Sequence, residues 1–350
     1  MKKYVFFSIL ASVTLLVNAQ IKEGQAPYLT KPLSADAIKN VEVETSGGSI
    51  FVSGVASSEA RIEVFVNKNN RRSGDDELSK EEIKKRLDED YELRISVNNG
   101  KVTAKAKPKE RNMDWKRALS ISFKLFVPQN ITSELETSGG SIHLKNLSGS
   151  QDFSTSGGSL HVDGLSGKIK GRTSGGSIHL ANSKDDIDLE TSGGSINADN
   201  SKGNINLSTS GGSVSLNDLK GIIKANTSGG SIRGKNIKGE LNTNTSGGSI
   251  MLSGLSGSLE TSTSGGHIDV SIIELGNYVR ITNSGGNIDL QLPAGKGIDL
   301  KLHANSIKKG TLNNFDGTIE DDEINGKLNG GGVPVTVKAG SGRINLTLQQ

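Results

Sequence analysis

Three of the five histidines in this 350-residue sequence, His143, His161 and His179, fall 18 residues apart. Imidazole is the commonest metal ligand, and a fixed period would bring all three onto one surface. If each 18-residue step is one layer of stacked strands, neighbouring rings lie roughly 4.8 Å apart. At that spacing they could share a late first-row metal such as zinc or copper. The same column continues as Asn197, Ser215, Arg233 and Met251, and no carboxylate joins it nearby. The candidate metal set is therefore His143, His161 and His179 and no more. The plainer reading is an exposed row whose members titrate together, because stacked imidazolium charges repel.

Charged residues repeat in the same frame. Lys168, Lys170 and Arg172 precede Asp186, Asp188 and Glu190 by one period. Direct stacking would give three opposite-charge pairs, each worth about 0.2–1 kcal/mol when exposed. A one-layer slip would break all three, so they read as register markers. The acidic run Glu320, Asp321, Asp322 and Glu323 reads as a solvated loop. No Ser-His-Asp arrangement, His-Glu-x-x-His or nucleotide loop is found, and no cysteine occurs. The Gly-rich turns lack the regular Asp of a calcium-binding roll. A non-enzymatic protein without a cofactor is expected.

The element that must position these residues is the phrase Thr-Ser-Gly-Gly-Ser-Ile, with small variations. Its Thr falls at Thr137, Thr155, Thr173, Thr191, Thr209, Thr227, Thr245 and Thr263, always 18 residues apart. An earlier copy begins at Thr45, a stretched one at Thr282, and a degenerate one spans 339–344. A short fixed period marks a solenoid, each repeat being one turn of chain stacked on the last. Within a period, apolar residues such as Ile178, Leu180, Ile187 and Leu189 alternate as two short strands. The Gly-Gly pair and a second Gly, as at Gly167 or Gly221, fit the turns between them. The fold expected is all-β: a parallel β-solenoid (β-helix) with 18-residue coils and two short strands per coil.

On this frame the Thr side chain faces inward at a corner, where a hydroxyl ladder can bond turn amides. An outward Thr row matching an ice lattice is the alternative. Asn146, Asn182, Asn200, Asp218 and Asn236 form a structural column that tolerates left-handed backbone. Exposed aromatics, which glycan binding usually wants, are confined to Phe153 and Phe51 in the repeats.

The remaining segments frame the array. Residues 1–19 have a charged start at Lys2 and Lys3, an apolar core and a Val17-Asn18-Ala19 cleavage site, the pattern of a secretory signal peptide. Its removal lowers the formal charge from +3 to +1, a balance that does not suggest nucleic acid. Apolar residues are 33% and aromatics 4%, too few for a thick globular interior. No later segment is long and apolar enough to span a bilayer. Residues 20–133 hold the first rung and an N-terminal strand-rich cap with one helix over 79–90, begun by Ser79 as N-cap. The array runs over 134–302, and 303–350 supplies C-terminal cap strands. Trp115, the one tryptophan, marks the only place in the cap where a pocket is expected.

The order of these features resembles the bacterial putative-adhesin family of exported β-strand-repeat proteins. The matching parts are a lone Gly-Gly-Ser-Ile rung at 47–50, an excursion ending on Val127-Pro128, and then repeated Gly-Gly-Ser-Ile rungs. The runs 288–293 and 342–346 also fit, so the resemblance covers the chain from about residue 37 to the end. It implies a β-solenoid at the cell envelope, of unknown function and without catalytic residues. The function expected is an adhesin-like interaction scaffold in the periplasm, on the outer surface or secreted, with an envelope or extracellular protein or glycan as partner. The alternative is a repeat-displayed binder of metal, glycan or ice.

Overall fold

The computed structural model describes residues 25–33, 37–69, 78–110 and 117–349; the expected signal peptide and Trp115 lie outside them. The described chain is all-β apart from one α-helix and a single short 3-10 turn. No described helix is long and apolar enough to cross a membrane, which says nothing of spanning by strands.

From Ile142 to Thr245 each step holds a four-residue and an eight-residue strand, as in Ile178–Ala181 and Lys184–Thr191. The next two steps run as the single strands Ile250–Thr263 and Ile268–Asn283. Alternation puts Ile178, Leu180, Ile187 and Leu189 inside and their neighbours outside. Every strand pairs in parallel with its counterpart: Ile178 opposes Ile196, and Leu189 opposes Leu207. Two parallel ladders result, one of short strands and one of long strands, with a thin apolar core between them.

Two corners join the ladders. At one, a Cβ on Gly158 would lie 2.0 Å from the Gly140 carbonyl oxygen of the layer before, so stacking there admits only glycine. At the other, Asn146, Asn182, Asn200, Asp218 and Asn236 take φ between 45° and 55°, the left-handed conformation that Asn and Asp tolerate. The stretched phrase at Thr282 is corrected by the register: Thr263 opposes Asn283, so Asn283 occupies the corner. Its Nδ2 donates to the Gly266 carbonyl at 2.7 Å and its Oδ1 accepts from the Gly286 amide at 3.0 Å, doing both jobs of the Thr hydroxyl.

The ends are interleaved. The first rung, Asn40–Thr45 and Ile50–Val55, lies between two layers. Thr132–Thr137 and Ile142–Lys145 pair on one side. Lys101–Pro108 and Leu119–Pro128 pair on the other, also in parallel. Tyr91–Asn98 and Arg61–Lys68 then add antiparallel strands beyond that layer. The helix Lys80–Asp90 begins with the Glu82 amide donating to Ser79 Oγ at 3.1 Å and buries Leu87. At the opposite end, Val333–Ala339 slots between Ile268–Asn283 and Ile298–His303. Arg343–Gln349 likewise slots between Ile288–Pro293 and Ser306–Lys309. Glu323–Leu328 covers Ile298–His303 as an antiparallel strand.

Candidate functional site

Stacking turns sequence positions into columns, and each column can be followed through the layers. The Thr column is buried and fully engaged. Thr191 Oγ1 donates to the Gly176 carbonyl at 2.7 Å and accepts from the Gly194 amide at 3.2 Å, and the pattern repeats from layer to layer. Beside it runs a serine column, in which Ser159 Oγ accepts from the Ser177 amide at 3.2 Å. Recurrent polar residues of the phrase thus satisfy backbone groups at the corner, and they offer nothing to a ligand.

His143, His161 and His179 do form one column, and Phe51 of the first rung heads it. Ring centroids are 4.4 Å apart for Phe51 and His143, 4.3 Å for His143 and His161, and 4.9 Å for His161 and His179. The planes are within 10° of parallel, so the nitrogen lone pairs run side by side and do not converge. No group of three or more His, Cys, Asp or Glu that could hold a metal is found among the described residues. His143 and His161 are half-buried and His179 is exposed. Burial, followed by the neighbouring imidazole charges, pushes the pKa of His143 down to about 3 and that of His161 to about 4.

The charged columns register as expected, Lys168 opposite Asp186, Lys170 opposite Asp188 and Arg172 opposite Glu190. Only the last is an ion pair, at 3.3 Å; Lys170 reaches back to Asp152 at 4.0 Å. Asp186 and Asp188 accept from Asn204 and Asn206 of the next layer, at 2.9 and 2.7 Å. Phe153 is a core residue and no surface aromatic, being 1% exposed. Its ring occupies the space left by Gly171, whose Cβ would meet it at 2.4 Å.

The sequence reading missed a column of four lysines, Lys184, Lys202, Lys220 and Lys238, which oppose one another in consecutive layers. They border an open groove of about 920 Å³. The signal lies in the same 18-residue frame, one lysine per period at one position.

A flattened, β-solenoid-like stack of parallel strands with repeated surface columns is the class that this geometry defines. Residues 177–347 match the Toastrack DUF4097 family, a domain of unknown function. The match begins inside the array, so the first rungs lie outside it. Among solved structures, a putative cell adhesion protein from Clostridium sporogenes is 12% identical, with a TM-score of 0.18 over 92% of this chain and 98% of that one. A putative adhesin from Bacteroides fragilis is 10% identical, with a TM-score of 0.32 over 92% of this chain and 96% of that one. No curated protein matches.

Proposed function

We propose that this protein is a non-enzymatic, exported, adhesin-like scaffold of the cell envelope. Its 18-residue coils build the rod, and the strands Lys101–Pro108, Leu119–Pro128, Tyr91–Asn98 and Arg61–Lys68 cover the first rung. The observation that carries this reading is the division of labour between columns. The recurrent Thr, Ser and Gly are consumed at the corners and the recurrent Ile, Leu and Val in the core. Outward columns hold one identity for a few layers and then change, as His143, His161 and His179 give way to Asn197, Ser215 and Arg233. A rod with constant insides and variable sides is suited to holding a partner along its length.

The test is a variant lacking residues 192–209, one whole period. Parent and variant are assayed for binding to separated envelope proteins and glycans, with turnover of any bound polymer followed. Both chains should fold, with the same far-UV circular dichroism per residue, and both should bind one fraction without releasing products. Global unfolding of the variant, steady product release, or binding to no fraction would overturn the reading.

A metal-binding reading draws on His143 Nε2, a buried nitrogen with no hydrogen-bond partner among the described residues. Zinc and copper titrations of the parent and of a His143→Ala, His161→Ala, His179→Ala variant decide it. Equal weak binding by both removes the metal.

A further inference from the structure

We propose that the groove beside Lys184, Lys202, Lys220 and Lys238 binds a linear acidic polysaccharide carrying one carboxylate per sugar. The proposal rests on the scaffold reading and names its ligand class. All four lysines are exposed, and none makes an ion pair or a side-chain hydrogen bond among the described residues. Like charges placed directly opposite on neighbouring strands are destabilising. This ladder stacks four of them. Nearby carboxylates are turned to other partners: Asp185 Oδ2 accepts from the Gly167 amide and Asp218 Oδ1 from Asn236 Nδ2, each at 3.0 Å. The positive row therefore stands open to an external anion.

Ser183 and Ser201 line the groove beside Lys184 and Lys202, in the corner position that Leu165, Leu219, Ile237 and Leu255 occupy in other layers. Its other wall is the left-handed column, where Asn200 Nδ2 donates to Asn182 Oδ1 at 2.7 Å. The volume of about 920 Å³ falls within the usual range of ligand sites.

Spacing selects the ligand. The lysine-bearing strands recur at roughly 4.8 Å, so the row covers roughly 14 Å in all. A sugar unit in an extended chain advances by a similar step, so successive uronate carboxylates can meet successive lysines. Carboxamides both donate and accept, which suits the hydroxyls of the same chain. Duplex nucleic acid advances about 3.4 Å along its axis per phosphate of one strand and winds its charges away from a straight row, out of step with the ladder. Single strands bind through stacking aromatics, and no aromatic residue lines this groove.

The experiment is calorimetric titration of the whole exported chain with polymannuronate oligosaccharides, beside a Lys184→Gln, Lys202→Gln, Lys220→Gln, Lys238→Gln variant. The parent should bind, more weakly as salt rises, and the variant at least tenfold more weakly. Neutral β-linked oligosaccharides of equal length should also lose at least tenfold. The variant should melt no lower than the parent, because repulsion has been removed. A Lys202→Gln, Lys220→Gln double variant, expected to lose affinity partway, carries the test if the quadruple one misfolds. Equal affinity of parent and variant overturns the assignment, as does no uronate binding, or equal affinity for single-stranded DNA or polyphosphate of matched charge. A parent that binds an envelope fraction but no polyuronate overturns the groove and leaves the scaffold reading standing.

Discussion

Gly157 and Gly158 are adjacent in sequence but under different constraints. A Cβ on Gly158 would lie 2.0 Å from the Gly140 oxygen, while the nearest atom to one on Gly157 is 3.6 Å away. Gly158→Ala should therefore cost about 2–4 kcal/mol by forcing the layers apart, and Gly157→Ala no more than about 0.5 kcal/mol. Urea unfolding of the two variants checks this, and equal losses would sink the close-approach argument. The histidine column makes a second prediction. Its folded-state pKa values, about 3 for His143 and about 4 for His161, lie below the ordinary imidazole value near 6.5. Between those limits the unfolded chain takes up protons that the native chain refuses. The stabilisation is complete above pH 6.5 and declines as pH falls toward 4. His143→Phe extends the Phe51 ring and removes a share of this slope. Urea midpoints measured near neutral pH and in the acid window should show a smaller loss for the variant than for the parent. The column itself was legible in the spacing; its half-burial was not, because Phe51 arrives from a rung 92 residues earlier in register.

At the scale of elements, alternation and capping were readable because they depend on neighbours in sequence. The strands Arg61–Lys68, Tyr91–Asn98, Lys101–Pro108 and Leu119–Pro128 each carry apolar and polar residues in alternation, and Ser79 caps the helix through the Glu82 amide. Which strand lies at an edge was not readable. Val333–Ala339 and Arg343–Gln349 follow every other strand in the chain but occupy interior layers. Truncation after Leu328 should consequently strip backbone partners from both Ile268–Asn283 and Ile298–His303, leaving paired groups exposed as edges. Among the described elements, removing the residues before Leu33 takes away Leu29–Pro32, an edge strand paired on one side with Arg61–Lys68. The first truncation should aggregate in light scattering and open the C-terminal layers to limited proteolysis. The second should do neither, and a similar response from both would count against the interleaved arrangement.

Across the whole molecule, the sequence by itself determined the repeat, the two strands in each step, the inward Thr and the Asn corner. These follow from chemistry repeated every 18 residues, in which each residue meets its own counterpart one layer away. Such contacts can be written down from the period alone. Tertiary structure decided what the period does not contain. It sandwiched the first rung, seated the last strands inside, buried Phe153 over Gly171, sent Lys170 to Asp152, and opened the groove beside four unpaired lysines. Each depends on the depth left by a differing neighbour or on pairing between distant segments. A one-dimensional repeat fixes its own register, but the ends and the hollows are fixed by the residues that break it.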